Sequence, residues 1–491
     1  MSLQLGLIDL LVLVGYLLSI VAIGLWAGGA PRNLDAYLLG DRNLPWWAIL
    51  GSIVATETST ATVLSVPGEA YGPAGMKFLQ LTLGYVVGRS VIVYALLPLY
   101  FRGKLFTAYQ VLDQRFGGAT KQAASLLFLV TRNLGDGLRL FLAALVLNQL
   151  AGLPFTASVL VMGVATIIYT YFGGMRSVVW NDCVQLVIYM AGGIAALLVL
   201  IDQLPGGWPE LREFGVATGK FQLFNWRWSL SDPYTFWAGL IGGAVLTIGT
   251  HGTDHMMVQR YLSARSQRDA GRALIASGFV VCAQFALFLL IGVGLAAFYA
   301  HQPAKVFSKD DVVFADFIIS SFPRNTGLIG LMLAAILAAA MSTLSSSLNS
   351  SASAFVNDFY VGWCRETPSP DRLFHVTRRL TIVFGLVQVV IGVVAFGFEN
   401  SVVRNALTIA GFSSGLLLGV FALGVITTHV DQFSALVAMA IGLTVLLAIQ
   451  FATPLVNVRV AFPWIPLIGC TTTFLAGLAV ARLKSIGRPG S

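Results

Sequence analysis

Apolar stretches about twenty residues long recur from one end of the chain to the other, separated by short polar segments. Each is long enough for an α-helix to cross a hydrocarbon core of about 30 Å. Thirteen stand out, near residues 7–28, 46–66, 76–100, 122–150, 155–172, 180–202, 235–258, 271–299, 326–357, 378–397, 402–426, 431–451 and 462–482. Alternation at period 2, the mark of a membrane barrel strand, is missing. The pattern predicts an all-α polytopic membrane protein with about 13 transmembrane helices. The longest polar interval, 203–234, contains LPGGWPELREF and NWRWSLSDP. It predicts a short helix lying at the membrane surface with tryptophan anchors.

Composition agrees with this pattern. The chain is 57% hydrophobic and 11% charged, too little charge for a water-facing surface. The net charge of +8 is unevenly spread. With the N-terminus placed outside, the inner loops hold eighteen Lys and Arg, including Arg42, Lys104, Arg176, Arg260, Arg265 and Arg488, and the outer loops nine. That bias predicts a cell (inner) membrane protein with its N-terminus outside and its C-terminus cytoplasmic. The charge is then an orientation signal and gives no reason to expect a nucleic-acid partner. No Lys or Arg precedes the first span, and Asp9 sits at its start, so it reads as a retained helix rather than a signal peptide. Cys183, Cys282, Cys364 and Cys470 are scattered without a CxxC pair and read as apolar filler. Walker A, HExxH and GxSxG motifs do not occur. The sequence predicts a polytopic helical protein of the lipid bilayer, not a globular enzyme, and a chain that works as a monomer.

Two spans are interrupted. The segment WWAILGSIVATETSTATVLSVPG (46–68) has a polar, threonine-rich centre, and FWAGLIGGAVLTIGTHGTDHMMVQRYL (236–262) has five glycines between Gly239 and Gly252. Each opens a set of five spans, 46–202 and 235–426, as a five-plus-five inverted repeat requires. An extra N-terminal span with its inner loop (1–45), the outer loop (203–234) and two C-terminal spans with an inner tail (427–491) complete the division. The alternative is that the glycines serve close packing alone. Ionisable residues inside spans are costly and mark function by default. They include Glu57, Arg89 and the trio Arg132, Asp136 and Arg139, which share one helix face. Either Asp136 neutralises both arginines, or a spare arginine meets Glu57 or an anionic solute.

The most polar span reads AAAMSTLSSSLNSSASAF over 338–355, with eight hydroxyl residues and Asn349. Ser342, Ser346, Asn349 and Ser353 form one stripe. Thr343, Ser347 and Ser350 form its neighbour, with Ser345 beside the first. Small hydroxyl residues let helices approach closely and can bond their own backbone. They also supply neutral oxygens, which a hard monovalent cation such as Na⁺ accepts without a competing proton.

The segments AYLLGDRNLPWWAILGSIVAT, YTYFGGMRSVVWNDCVQ, DHMMVQRYLSA and LAAILAAAMSTLSSSLNSSASAFVNDFY together resemble the sodium/solute symporter family, which includes sodium–glucose, sialic acid and proline transporters. The resemblance covers about residues 10–450. It implies a leucine-transporter-like fold and a main sodium site from the carbonyls of Ala55, Thr58 and Ala339 and the hydroxyls of Ser342 and Thr343. The family's usual pair there is Ser-Ser; Thr343 keeps the hydroxyl. It also implies a second sodium site from Asp182, Ser345 and Ser346, with Ser342 shared; otherwise Asp182 is a helix N-cap. The family's solute residues do not carry over: Glu57 replaces the sugar branch's Asn, and the sialic acid branch's arginine aligns nearer Gly135 than Arg132 or Arg139. By position, Glu57, Ser59 and Thr62 face the solute cavity, followed by Gln80, Arg132 and Thr247. The expected function is sodium-coupled secondary active symport of a small polar organic solute, a sugar or organic acid, by alternating access. The alternatives are a proton-coupled carrier, with Glu57 or Asp182 titrating, and a transporter-fold solute sensor.

Overall fold

The computed structural model describes residues 5–29, 31–103, 105–302, 305, 307, 310–398, 400–452 and 460–486. Lys104 and Arg488, counted above as inner-loop charges, lie outside them. The first helix is α1 (Leu7–Gly28). The first interrupted span becomes α2 (Trp46–Glu57) and α3 (Thr60–Tyr71), followed by α4 (Gln80–Val91), α5 (Gly118–Ala151) and α6 (Phe155–Gln203). After the helix α7 (Gly207–Ala217) of the 203–234 loop, the second interrupted span becomes α8 (Gly243–Gly252) and α9 (His255–Leu262). Then come α10 (Gln267–Ala300), α11 (Val313–Ser321), α12 (Leu328–Phe355), α13 (Pro370–Val394), α14 (Asn400–Ile426), α15 (Gln432–Ala452) and α16 (Trp464–Ile486).

By length and apolar character, eight helices among the described residues can cross a membrane, or nine with α2–α3 taken as one bent span. The difference from thirteen has physical causes. Helix α5 carries Arg132, Asp136 and Arg139, and α8–α9 is interrupted. In α14 the stretch Gly411–Ile426 is apolar but shorter than a full span, and it stands outside the eight. Helix α6 is a single stretch of 49 residues, about 70 Å if straight, yet it folds back at Gly174. That residue has φ 56° and ψ −147°, a conformation open only to glycine. Gly24 of α1 lies against Tyr169 and Asn181 at once. In a straight helix those two residues would stand ~18 Å apart along the axis.

Helix α12 occupies the centre. Every residue from Met341 to Ala354 is buried, as expected for a helix enclosed on all sides. Its N-terminus is held by α1: the buried Asp9 carboxylate accepts the backbone N–H groups of Asn325 and Gly327, both at 2.9 Å, satisfying donors that a helix start leaves free. The 203–234 loop holds the far end of α3 in the complementary way. Lys220 Nζ donates to the carbonyls of Ala70, Tyr71 and Gly72 at 3.2, 2.7 and 2.7 Å, at the negative end of the helix dipole. Partial burial draws the Lys220 ammonium below its ordinary pKa. The expected surface helix is α7, and Trp226 and Trp228 of the same loop are exposed.

Candidate functional site

The two breaks are built by side chains that replace the helical bonds. At the first, Thr58 and Ser59 are extended, and the halves bend by 63°. Thr58 Oγ1 donates back to the Val54 carbonyl at 2.7 Å. Ser59 and Thr62 form a reciprocal capping box that starts α3. At the second, Asp254 is extended and accepts the Met256 N–H at 2.8 Å, an N-cap that starts α9. The Gly252 carbonyl freed there accepts the Tyr100 hydroxyl.

The upper part of the hydroxyl stripe meets the first break. Thr343 Oγ1 donates to the Thr56 carbonyl at 3.1 Å, joining α12 to the end of α2. Ser342 Oγ donates to Asp182 Oδ1 at 2.6 Å, and Ser52 Oγ to Asp182 Oδ2 at 2.5 Å. Ser345 Oγ bonds the Ser342 carbonyl at 3.1 Å, and Ser346 and Thr56 share a hydroxyl contact at 3.1 Å. Ala55 is buried against Tyr189 and Ala335. Thr58 Oγ1 also lies 3.1 Å from Tyr189 Oη and from Gln284 Oε1. Neutral oxygens from a broken helix and a neighbouring helix thus converge, which suits a small hard cation. Among the described residues no group of three or more His, Cys, Asp or Glu is placed to hold a metal.

Arg260, which the charge count placed in an inner loop, is 1% exposed. Its guanidinium donates to Ser52 Oγ at 2.8 Å, to the Met256 carbonyl at 2.6 Å, and to Thr56 and Ser346; it pairs with Asp182 at 3.3 Å.

A cavity of about 240 Å³ opens beside the first break, lined by Glu57, Ser59, Tyr85, Arg132, Arg139, Thr247, His251 and Thr343 among others. Its charges are mostly spoken for. Arg89 bonds Glu57 and, at 2.9 Å, Ser277, with His251 Nε2 3.4 Å from the Glu57 carboxylate. Arg132 bonds Asp254 and lies 3.8 Å from Asp136. Arg139 bonds Asp136 through Nη1 alone, and its side chain is 41% exposed. Three guanidinium groups therefore face three carboxylates; among the described residues Arg89 Nε and Arg132 Nε are buried without a partner, and Arg139 is the one of the three arginines whose remaining donors are exposed.

Of the expected solute residues, the structure brings Glu57, Ser59, Arg132 and Thr247 to this cavity. Thr62 instead serves the capping box. Gln80 is buried against the 203–234 loop, donating to the Lys77 and Tyr234 carbonyls and accepting from Asn225 N. The arginine that meets Glu57 is Arg89, not a member of the α5 trio. His251 and Tyr85 went unremarked in the sequence. His251 stands four residues after Thr247 and so shares its helix face, a signal that could have found it.

Residues 37–442 match the sodium:solute symporter family. The chain is 27% identical over 482 residues to the sodium/sialic acid symporter of Proteus mirabilis, covering 97% of this chain and 95% of that one. It is 28% identical over 451 residues to the human sodium/iodide cotransporter, covering 89% and 69%. Among solved structures, a Na⁺-coupled sialic acid symporter in a substrate-bound outward-open state superposes with a TM-score of 0.87 at 26% identity, covering 97% of this chain and 98% of that chain.

Proposed function

This chain belongs to the sodium:solute symporter family, and from that premise we propose which residues carry its sodium and its solute. It is a multi-pass membrane protein with the leucine-transporter-like inverted repeat, and its function is sodium-coupled symport of a small organic solute. The main sodium site consists of the carbonyls of Ala55, Thr58 and Ala339 with the hydroxyls of Ser342 and Thr343. A second consists of Asp182, Ser345 and Ser346, with Ser342 shared. The observation that carries this reading is the bond from Thr343 to the Thr56 carbonyl. It already closes α12 onto the unwound end of α2, where a bridging cation adds the most. Sodium biases the carrier toward an outward-open state only through its unequal affinity for the states.

The solute sits in the cavity beside the break, against Glu57, Ser59, Arg132 and Thr247. Arg139 turns its unused donors to an anionic group, and a carboxylate matches that planar fork. The charge balance supports an organic acid over a neutral sugar. The cavity's surroundings pair three arginines with three carboxylates, so a sodium at the main site, which adjoins the cavity, leaves it positive and one carboxylate restores neutrality. Proton coupling finds less support, because Glu57 and Asp182 are both paired with arginine. The repeats span 46–202 and 235–426, and the N-terminus lies outside a cell membrane that a single chain crosses. The test is uptake into proteoliposomes of radiolabelled monocarboxylates, sialic acid and glucose, with and without an inward sodium gradient. The expected result is sodium-dependent uptake of a carboxylate; uptake that ignores sodium and follows a pH gradient would reject the reading.

A further inference from the structure

The side chain with the most buried polar contacts that the transport reading leaves unused is Arg260. It belongs to α9, the short half-helix after the second break, yet it reaches across to the first. Its guanidinium lies among oxygens of four elements: Ser52 and Thr56 of α2, Asp182 of α6, Met256 of its own helix and Ser346 of α12. Two of these, Asp182 and Ser346, belong to the proposed second sodium site. Asp182 and Arg260 are 0% and 1% exposed. A buried carboxylate without a counter-charge is strongly unfavourable, so Asp182 needs a cation in every state of the carrier. One carboxylate cannot hold two. A sodium ion at Asp182 and Ser346 beside the guanidinium would leave a second, uncompensated charge in the same dry pocket.

We propose that Arg260 is a tethered cation that alternates with sodium for Asp182 and Ser346, so that the sodium-free carrier is neutralised from within. Loading sodium withdraws the guanidinium from this pocket, and releasing sodium returns it. The two broken helices are coupled by this exchange: the ion that joins α2 to α12 frees α9 from both. The returning empty carrier is thereby spared a bare buried charge, and the energetic difference between loaded and empty pockets is reduced. This rests on the second-site reading above.

The test is direct ²²Na⁺ binding to the purified full chain in nanodiscs, comparing the wild type with Arg260→Gln, Asp182→Asn and the double variant. With its internal competitor gone, Arg260→Gln should bind the second sodium at least about tenfold more tightly, because the attraction of Asp182 is then unshared. Asp182→Asn and the double variant should each keep one sodium. In the same Arg260→Gln protein, sodium-driven net uptake should fall while solute exchange persists, since only net uptake requires the empty carrier to return. Should Arg260→Gln not fold, hydrogen exchange on the unmodified protein serves. Sodium should speed exchange across 255–262 while slowing it across 46–57. Equal or weaker sodium binding in Arg260→Gln, or slower exchange across both segments, would overturn the exchange while leaving the second site standing. A wild type that binds one sodium, unchanged in Asp182→Asn, would remove the second site itself and the proposal with it.

Discussion

The two halves of the hydroxyl stripe on α12 have nearly the same composition and different company. From Ser342 to Ser346 the partners are a carboxylate, a guanidinium and a carbonyl at the end of an unwound helix. From Ser347 to Ser353 they are mostly amides and intact backbone. Gln388 Nε2 donates to Ser347 Oγ and to Asn133 Oδ1, both at 2.8 Å, and Asn133 Nδ2 to Ser351 Oγ at 3.2 Å. Gln259 Nε2 donates to Asn349 Oδ1 at 2.7 Å. The upper half therefore has charge and the carbonyl at the end of α2 within reach, the kind of surroundings a cation site needs. The lower half is a neutral hydrogen-bonded seam between α5, α9, α12 and α13, which fixes helices in place. Serine content alone does not distinguish an ion site from a packing device; the neighbours do.

Substitutions can break or sharpen this contrast. The largest expected effect is in the upper half. Asp182→Asn strands Arg260 in a buried pocket, which costs about 3–5 kcal/mol when one partner of a buried pair is lost. A large drop in the melting temperature of the detergent-solubilised protein would register it. Next is Arg139→Gln, which should weaken binding of a carboxylate solute about 10- to 100-fold, the worth of a charge-assisted hydrogen bond. Sodium binding measured without solute should stay the same, since Arg139 touches neither hydroxyl half. In the lower half, Ser347→Ala removes one acceptor from Gln388 and should cost only about 1 kcal/mol of stability, with the sodium concentration for half-maximal uptake unchanged. A surface control should move least. Lys484 and Ser434 hold the Asp431 carboxyl below its ordinary pKa just before α15, but this pair is exposed. Lys484→Ala should therefore shift stability by less than about 1 kcal/mol.

Much of this was legible in the sequence, for identifiable reasons. The spans follow from hydrophobic length, a local property. The breaks follow from local chemistry: a threonine cluster at 56–62, and five glycines over 239–252; that Asp254 caps the second half-helix came only from the structure. The hydroxyl stripe follows from helical period. Partners distant in sequence did not show. Arg260 sits at the end of a predicted span and next to the loop arginine Arg265, so it looks like an orientation charge. Its carboxylate partner is 78 residues away. Gln80 looks like a cavity residue on its helix face, but the 203–234 loop, whose fold no periodicity announces, bonds both of its polar atoms. Arg89 and Glu57 were each suspect as buried charges, yet only packing of α4 against the break shows that they neutralise each other.

The central claim is that sodium is held where α12 meets the unwound end of α2, and not along the stripe as a whole. The direct measurement is ²²Na⁺ binding to two double variants of the purified chain, Ser342→Ala/Thr343→Ala and Ser347→Ala/Ser351→Ala. The first should lose sodium binding at concentrations that saturate the wild type, and the second should bind as the wild type does. Undiminished binding in the first, or loss confined to the second, would contradict the account.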